Sequence, residues 1–253
     1  MAITKEDVER FYEQFYAPNN AILVLSGDID VKTAKELAEK YYGKVKSRPV
    51  GKKADFPKLS RRFKADMQMR LEAANAPRLV RTYLAPSFNT DAGQIYALSV
   101  FSKYLGEGEN SKLYKNLVLK QKKALAVSSS YDYADRSYGT FTIAAVPAEG
   151  VSREELEKAL DDAVAEAVSG INAAEVDKTK HKMLAGLVYL KDNPNDAAYI
   201  AGMLAAVGLS AEEIDNGDIH LRDVGYRDVK KAADAILQAP AVSGWLLPLK
   251  EDD

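Results

Sequence analysis

The chain has 253 residues, 47% of them hydrophobic, with Lys+Arg 35 against Asp+Glu 37 and a formal net charge of -2. That hydrophobic share is ordinary for a chain that buries a core, and the length allows one large domain or one and a half. The near balance of charge argues against a nucleic-acid binder, which needs a basic field to collect phosphates. The absence of cysteine excludes disulfides, thiolate zinc sites and cysteine nucleophiles.

No apolar run approaches the roughly 18 residues that a spanning helix requires. The amino terminus, MAITKEDVERFY, is charged and lacks the apolar stretch of a signal peptide. Thr4 and Asp7 resemble a capping start, after which Val8, Phe11, Tyr12 and Phe15 recur at helical spacing. Pro18 ends that helix. Ala21 to Leu25 is an unbroken apolar run of strand length, as expected of a strand covered on both faces. Val31 to Tyr42 reads as a second helix closed by Gly43. This short helix–strand–helix piece is too small to bury its own apolar faces, so it is expected to be the end of a domain or to dock on the downstream chain.

Lys44 to Ser60, with Pro49, Gly51, Pro57 and several lysines, reads as a solvated connection. The expected division is therefore 1–47, then a linker over 48–60, then 61–253. Strands are expected over Arg62–Leu71, where Met67, Met69 and Leu71 alternate with polar residues, and over Leu79–Leu84. Thr90 or Asp91 caps a helix running to Leu105, and Gly106 is expected to end it in the left-handed region. Leu113, Leu117 and Val118 give the next helix an apolar face, followed by β-prone residues to Tyr133. Asp135-Arg136-Ser137 is a turn into a strand over Tyr138–Val146. Ser152 with Glu155, and Asn172 with Glu175, start two further helices. Asn193-Pro194 breaks the second, and Asn195 to Leu209, Ala-rich and nearly uncharged, is expected to be buried. Short helices over 211–214 and 226–237 precede a last strand, Val242–Leu247, with Trp245 in the core. This order reads as α+β, with a mixed or antiparallel sheet carrying helices on one face.

The stretch LGEGENSKLYKNLVLKQKKALAVSSSYDY (Leu105–Tyr133) carries a resemblance. Its Leu-Gly-Xaa-Gly turn, its Ser-Lys-Leu-Tyr helix start (Ser111–Tyr114) and its Leu125-Ala126 strand start are similar to the second half of zinc peptidases of the pitrilysin, insulinase and mitochondrial processing peptidase family. FYEQFYAPNNAILVLSGDID (Phe11–Asp30), Ala38–Gly43, Gly139–Phe141 and Gly244–Pro248 extend it over nearly the whole chain. The resemblance implies a protein of two similar α+β halves, of which this chain is the tail of the first and all of the second.

That family holds zinc with H-x-x-E-H and a distant glutamate, and the motif glutamate takes a proton from the bound water. This chain has two histidines, His181 and His220, and neither begins the motif. No Gly-Xaa-Ser-Xaa-Gly elbow is present either. The reading is therefore no metal and no catalytic residue in this chain, which is inactive alone, with zinc in the missing N-terminal half. Some relatives carry an arginine and a tyrosine in the second half that hold substrate and polarise its carbonyl. Lys120 and Val127 stand at the matching positions, so the charge is kept without the fork and the hydroxyl is lost. Lys120, Lys122 and Lys123 also read as a solvated helix end. Tyr131, Tyr133 and Tyr138 read as packing or as the lining of a peptide groove. Lys120, Val127 and Tyr131 are the candidate substrate-binding residues.

The resemblance implies a peptide or unfolded polypeptide as substrate, the N-terminal catalytic half as partner, and, as in heterodimeric relatives, a homologous partner subunit. Its alternative is a non-catalytic interaction or assembly homologue of the same fold. An export signal upstream would place the protein in the periplasm; without one it belongs to the cytoplasm.

Overall fold

The computed structural model describes residues 2–52, 63–72 and 74–249, the side chains of 190–192 apart. In chain order its elements are α1 (Lys5–Phe15), α2 (Val31–Tyr42), β1 (Ala65–Leu71), β2 (Arg78–Ala85), α3 (Phe88–Asp91), α4 (Ile95–Gly106), a π-helical segment (Tyr114–Lys120), β3 (Ala124–Asp132), β4 (Gly139–Pro147), α5 (Arg153–Ser169), α6 (Ala173–Asp192), α7 (Pro194–Val207), α8 (Ala211–Asp215), α9 (Gly217–Asp223), α10 (Tyr226–Gln238) and β5 (Ala241–Pro248). They divide into two compact units. The larger comprises Lys58–Leu187 and Asp215–Asp253, the smaller Met1–Pro57 and Val188–Ile214.

The larger unit is built on a five-stranded sheet of order β1-β5-β2-β4-β3. β1 runs parallel to β5 and every other neighbouring pair is antiparallel. This is the mixed α+β sheet read from the sequence. Strand side chains alternate between faces, and on one face Leu79, Tyr83, Ala85, Phe141, Ile143, Ala145, Val127 and Trp245 are buried. They meet Leu98, Phe101 and Leu105 of α4, Leu156 and Leu160 of α5, and Val229 and Ile236 of α10 in one apolar core. Phe101 stacks on Phe141 with ring centroids 5.5 Å apart, and the Trp245 indole N–H donates to Glu157 of α5.

Local signals explain most boundaries. Thr4, Ser152 and Asn172 cap as their spacing implies: each side-chain oxygen accepts from the backbone N–H three residues on. Asn193 accepts from Asn195 N–H and Pro194 opens α7. Asp135 accepts from Ser137 N–H in the turn between β3 and β4.

Other expectations are corrected. The helix expected from Thr90 or Asp91 starts instead at Ser87, whose hydroxyl accepts from Asn89 N–H, and it passes through a 3₁₀ turn (Ala92–Gln94) before α4. The helix after Ser111 is π-wound, with Gln121 N–H donating to the Asn116 carbonyl 2.8 Å away; apolar spacing alone does not separate a π-turn from an α-turn. α9 has no side-chain cap and no counterpart among the elements expected from the sequence.

Gly106 does not enter the left-handed region; Gly108 does, at φ 82°. Gly106 is glycine for another reason. A Cβ there would lie 2.4 Å from the Ser129 backbone nitrogen and 2.8 Å from the Ser128 carbonyl carbon. α4 therefore touches β3 at van der Waals distance, and Ser129 Oγ donates to the Ser102 carbonyl at 2.8 Å across the same seam.

In the smaller unit, Ala21 to Leu25 forms no strand and has no strand partner among the described residues. Ile22, Leu23 and Leu25 are 58%, 50% and 52% exposed. The expectation of a strand covered on both faces fails because burial needs neighbouring strands, and the described chain supplies none. α7 also departs from expectation: it contains no buried residue, and Tyr199 is exposed. Low charge permits burial but does not cause it. The first part of the expected linker is fastened. Arg48 donates to the Tyr12 carbonyl at 3.1 Å and to that of Tyr16, and Gly51 N–H donates to the Gln14 carbonyl at 3.0 Å. Residues 53–60 of that linker lie outside the described residues.

Two outcomes are expected. Gly106→Ala should cost about 1–3 kcal/mol in urea unfolding, because the added methyl meets backbone. Gly108→Ala, strained only in its dihedral with open space around it, should cost roughly 1–2 kcal/mol. Equal stability of Gly106→Ala and the unsubstituted chain would contradict the close approach. Arg48→Ala should speed early tryptic cleavage at Lys46, since it frees the segment from the α1 carbonyls; an unchanged digestion rate would count against that fastening.

Candidate functional site

The sheet face opposite the core is the surface on which a ligand can lie. Registry sets its rows. Ser130, Thr142, Thr82, Val242 and Ala65 stand side by side across the five strands, and Ser128, Ala144, Val80, Gly244 and Met67 form the next row. Thr82 and Thr142 share a hydroxyl–hydroxyl hydrogen bond of 3.2 Å. The β3 side of the face is thus small and hydroxyl-bearing. The β1 side is apolar, with Met67, Met69 and Leu71 exposed. β-Branched residues suit strands, and the interior strands' backbone groups are taken by their neighbours, so the face presents side chains. The alternation of Met67, Met69 and Leu71 was legible in the sequence, but its direction was not: the register with β5 sets Met67 beside Gly244 and Met69 beside Leu246, on the face away from the core residue Trp245.

The three residues singled out in the sequence occupy different environments. Lys120 is exposed at the end of the π-helical segment. Val127 is 8% exposed and belongs to the apolar core. Tyr131 lies on the core side of β3, where its hydroxyl donates to the Pro86 carbonyl at 2.7 Å and its ring neighbours Tyr133 and Phe141. Burial raises the Tyr131 pKa, with Tyr133, Asp91 and Asp132 adding to the shift. Tyr131 therefore serves as a neutral donor to backbone.

The donor set does not fit a zinc site. His181 is exposed, with Nδ1 2.7 Å from the Asp177 carbonyl of its own helix. His220 is exposed and packs on the Tyr96 ring at 5.3 Å. Among the described residues no three His, Cys, Asp or Glu side chains are grouped so that they can hold a metal ion. No helix among them is long and apolar enough to cross a membrane. The open face offers hydroxyls, small side chains and methionines, which suit binding.

The chain is similar to known proteins in sequence and fold. Residues 2–183 match the family described as the peptidase M16 inactive domain. A zinc protease of Helicobacter pylori, PqqE, is 27% identical over 208 residues, covering 80% of this chain and 45% of its own length. The chain thus spans less than half of that curated relative. The crystal structure of a protease from Helicobacter pylori superposes with a TM-score of 0.84 at 22% identity, over 97% of this chain and 60% of that one. A peptidase M16 inactive domain from Pseudomonas fluorescens superposes with a TM-score of 0.80 at 18% identity, over 99% and 59%.

Metal analysis of the chelator-washed chain, re-equilibrated with zinc, should find no stoichiometric ion. His181→Ala and His220→Ala should leave the zinc content unchanged; one tightly held zinc lost in either variant would contradict the reading of the donor set.

Proposed function

The chain belongs to the peptidase M16 inactive-domain family, and from that premise we propose that it forms one wall of a peptide-binding chamber and supports the zinc-bearing half of a metallopeptidase. The observation that carries this is the uncovered apolar surface of the smaller unit. Five consecutive apolar residues, Ala21 to Leu25, have no strand beside them among the described residues, and Phe11 and Tyr12 of α1 and Tyr41 and Tyr42 of α2 are exposed as well. Fully burying a side chain such as Leu or Ile is worth about 1.5–3 kcal/mol, so covering Ile22, Leu23 and Leu25 together supplies a substantial docking energy. A sheet from an upstream half is the occupant that would satisfy both the side chains and the backbone of that run. The relatives' greater length supports the existence of such a half.

In this reading zinc and its water-activating glutamate belong to the upstream half, and an extended substrate lies between that half and the open sheet face of this one. Extended peptides add to sheet edges through main-chain hydrogen bonds, whereas a sheet face offers side chains. The hydroxyls of Ser128, Ser130, Thr82 and Thr142 are placed to meet such a chain. A second reading, a non-catalytic interaction homologue, is favoured by the loss of the Arg and Tyr at Lys120 and Val127. H-x-x-E-H upstream supports the first reading, and its absence the second. A homologous subunit bearing the Arg and Tyr would reconcile the substitution with catalysis.

The test is reconstitution. Co-expressed with the upstream half of its own gene, the chain should copurify as a 1:1 complex. Leu23→Asp should weaken that association at least about tenfold, as expected for a charge forced into an apolar contact, while leaving the chain's own unfolding midpoint unchanged, since Leu23 is solvent-exposed in it. Undiminished association of Leu23→Asp would remove the docking role from this segment.

A further inference from the structure

The larger unit holds a second feature, unrelated to the open sheet face. The C-terminal turn of α4, the loop leading to Ser111 and one side of α6 enclose a cleft of about 70 Å³. Five lysines line it: Lys103 from α4, Lys112 and Lys115 from the stretch after the loop, and Lys178 and Lys182 from α6. Two lining carboxylates answer them. Lys103 pairs with Glu107, and Lys112 with Glu175 at 3.1 Å. Glu109 belongs to the same loop but does not line the cleft. Lys115, Lys178 and Lys182 have no ion-pair partner among the described residues.

This concentration runs against the chain's overall charge of -2, and it is arranged unfavourably. Lys178 and Lys182 stand one turn apart on α6, and Lys112 and Lys115 stand about one turn apart opposite them. Like charges so placed repel and destabilise a helix. Glu175 is one carboxylate among these cations. Its carboxyl is held below the usual range, first by the hydrogen bond from Lys112, with the charges of Lys178 and Lys115 contributing against the opposing effect of burial. The floor is polar and ordered: Ser111 and Thr179 are buried, as is Tyr104, whose ring lies 5.1 Å from the Lys112 ammonium. Thr179 Oγ1 donates to the Glu175 carbonyl. Ser111 Oγ accepts from Tyr114 N–H at 3.4 Å.

We infer that this cleft binds a multiply charged oxyanion of the phosphate type. Lys115, Lys178 and Lys182, exposed and without an ion-pair partner among the described residues, line the cleft from two elements beside the Ser111 side chain, and this set matches an anion that carries several charged oxygens. A single carboxylate would leave most of those cations unanswered. Lysine serves such a group as a point charge, and the cleft holds one small tetrahedral anion. The phosphate can arrive as a free inorganic anion or as a lipid head-group, and the test separates them.

The full chain is titrated calorimetrically with inorganic phosphate at fixed ionic strength, beside cosedimentation with phosphatidylcholine vesicles containing or lacking phosphatidic acid. A saturable 1:1 isotherm, weakened at least about tenfold (about 1.4 kcal/mol) in Lys178→Gln/Lys182→Gln and in Lys115→Gln, supports the inference with a free anion. Phosphatidic-acid-dependent cosedimentation lost in the same variants, without an isotherm, supports it with a head-group. Lys158→Gln, a paired and exposed lysine elsewhere, should change neither, and the unliganded variants should keep or raise their unfolding midpoint. Absence of both signals, or equal responses from the wild-type chain and the double variant, overturns the inference.

Discussion

The contact on which the larger unit depends is the seam between α4 and β3. Packed helices and sheets normally stay apart by the depth of their side chains, but here Gly106 brings helix backbone against the backbone of Ser128 and Ser129. The Ser129 hydroxyl, buried at the same place, is satisfied by the Ser102 carbonyl; left unbonded, it would cost more than the bond gains. With α4 held that close, Leu98, Phe101 and Leu105 reach the sheet, Phe101 lies flat on Phe141, and α10 closes over the remaining gap. The next segment is then obliged to turn sharply, which Gly108 allows.

The two units satisfy their apolar residues differently. The larger one encloses a continuous core between one sheet face and three helices, and even its half-buried arginine is answered, Arg81 by Asp161 and by the Ser243 hydroxyl. Of the smaller unit, Ala17 and Leu209 are among the few buried apolar residues, while α1, α2 and α7 bury none. Helical propensity, caps and the Arg48 hydrogen bonds fix its local structure without a core beneath it. Such a unit has the chemistry of a surface made to be covered, and the M16 relatives, longer than this chain, are where a cover is to be sought.

Functional legibility follows the same division. The family was legible because it is written in short-range pattern: Leu105–Gly108, Ser111–Tyr114 and Leu125-Ala126 are contiguous motifs whose order survives without knowledge of the fold. The want of a zinc motif was legible too, since ligand identity and spacing are properties of the chain. The surfaces were not. Open-face rows such as Ser130–Thr142–Thr82 join residues from distant strands, and registry alone brings them together. The lysines around the 70 Å³ cleft read along the chain as ordinary solvated helix faces, because α6 and the loop after α4 are far apart in sequence.

The chain by itself thus determined the caps at Thr4, Ser152 and Asn172, the break at Asn193-Pro194, the strand periods and the α+β order, since each rests on interactions within a few residues. Only the tertiary structure decided that Gly106 serves close packing and not a left-handed turn, that Val127 is core while Lys120 is in solvent, that β1 turns its methionines outward, and that Ala21 to Leu25 has no strand partner among the described residues. Those outcomes depend on which segments lie alongside, and an apolar run or a glycine carries no record of its neighbours.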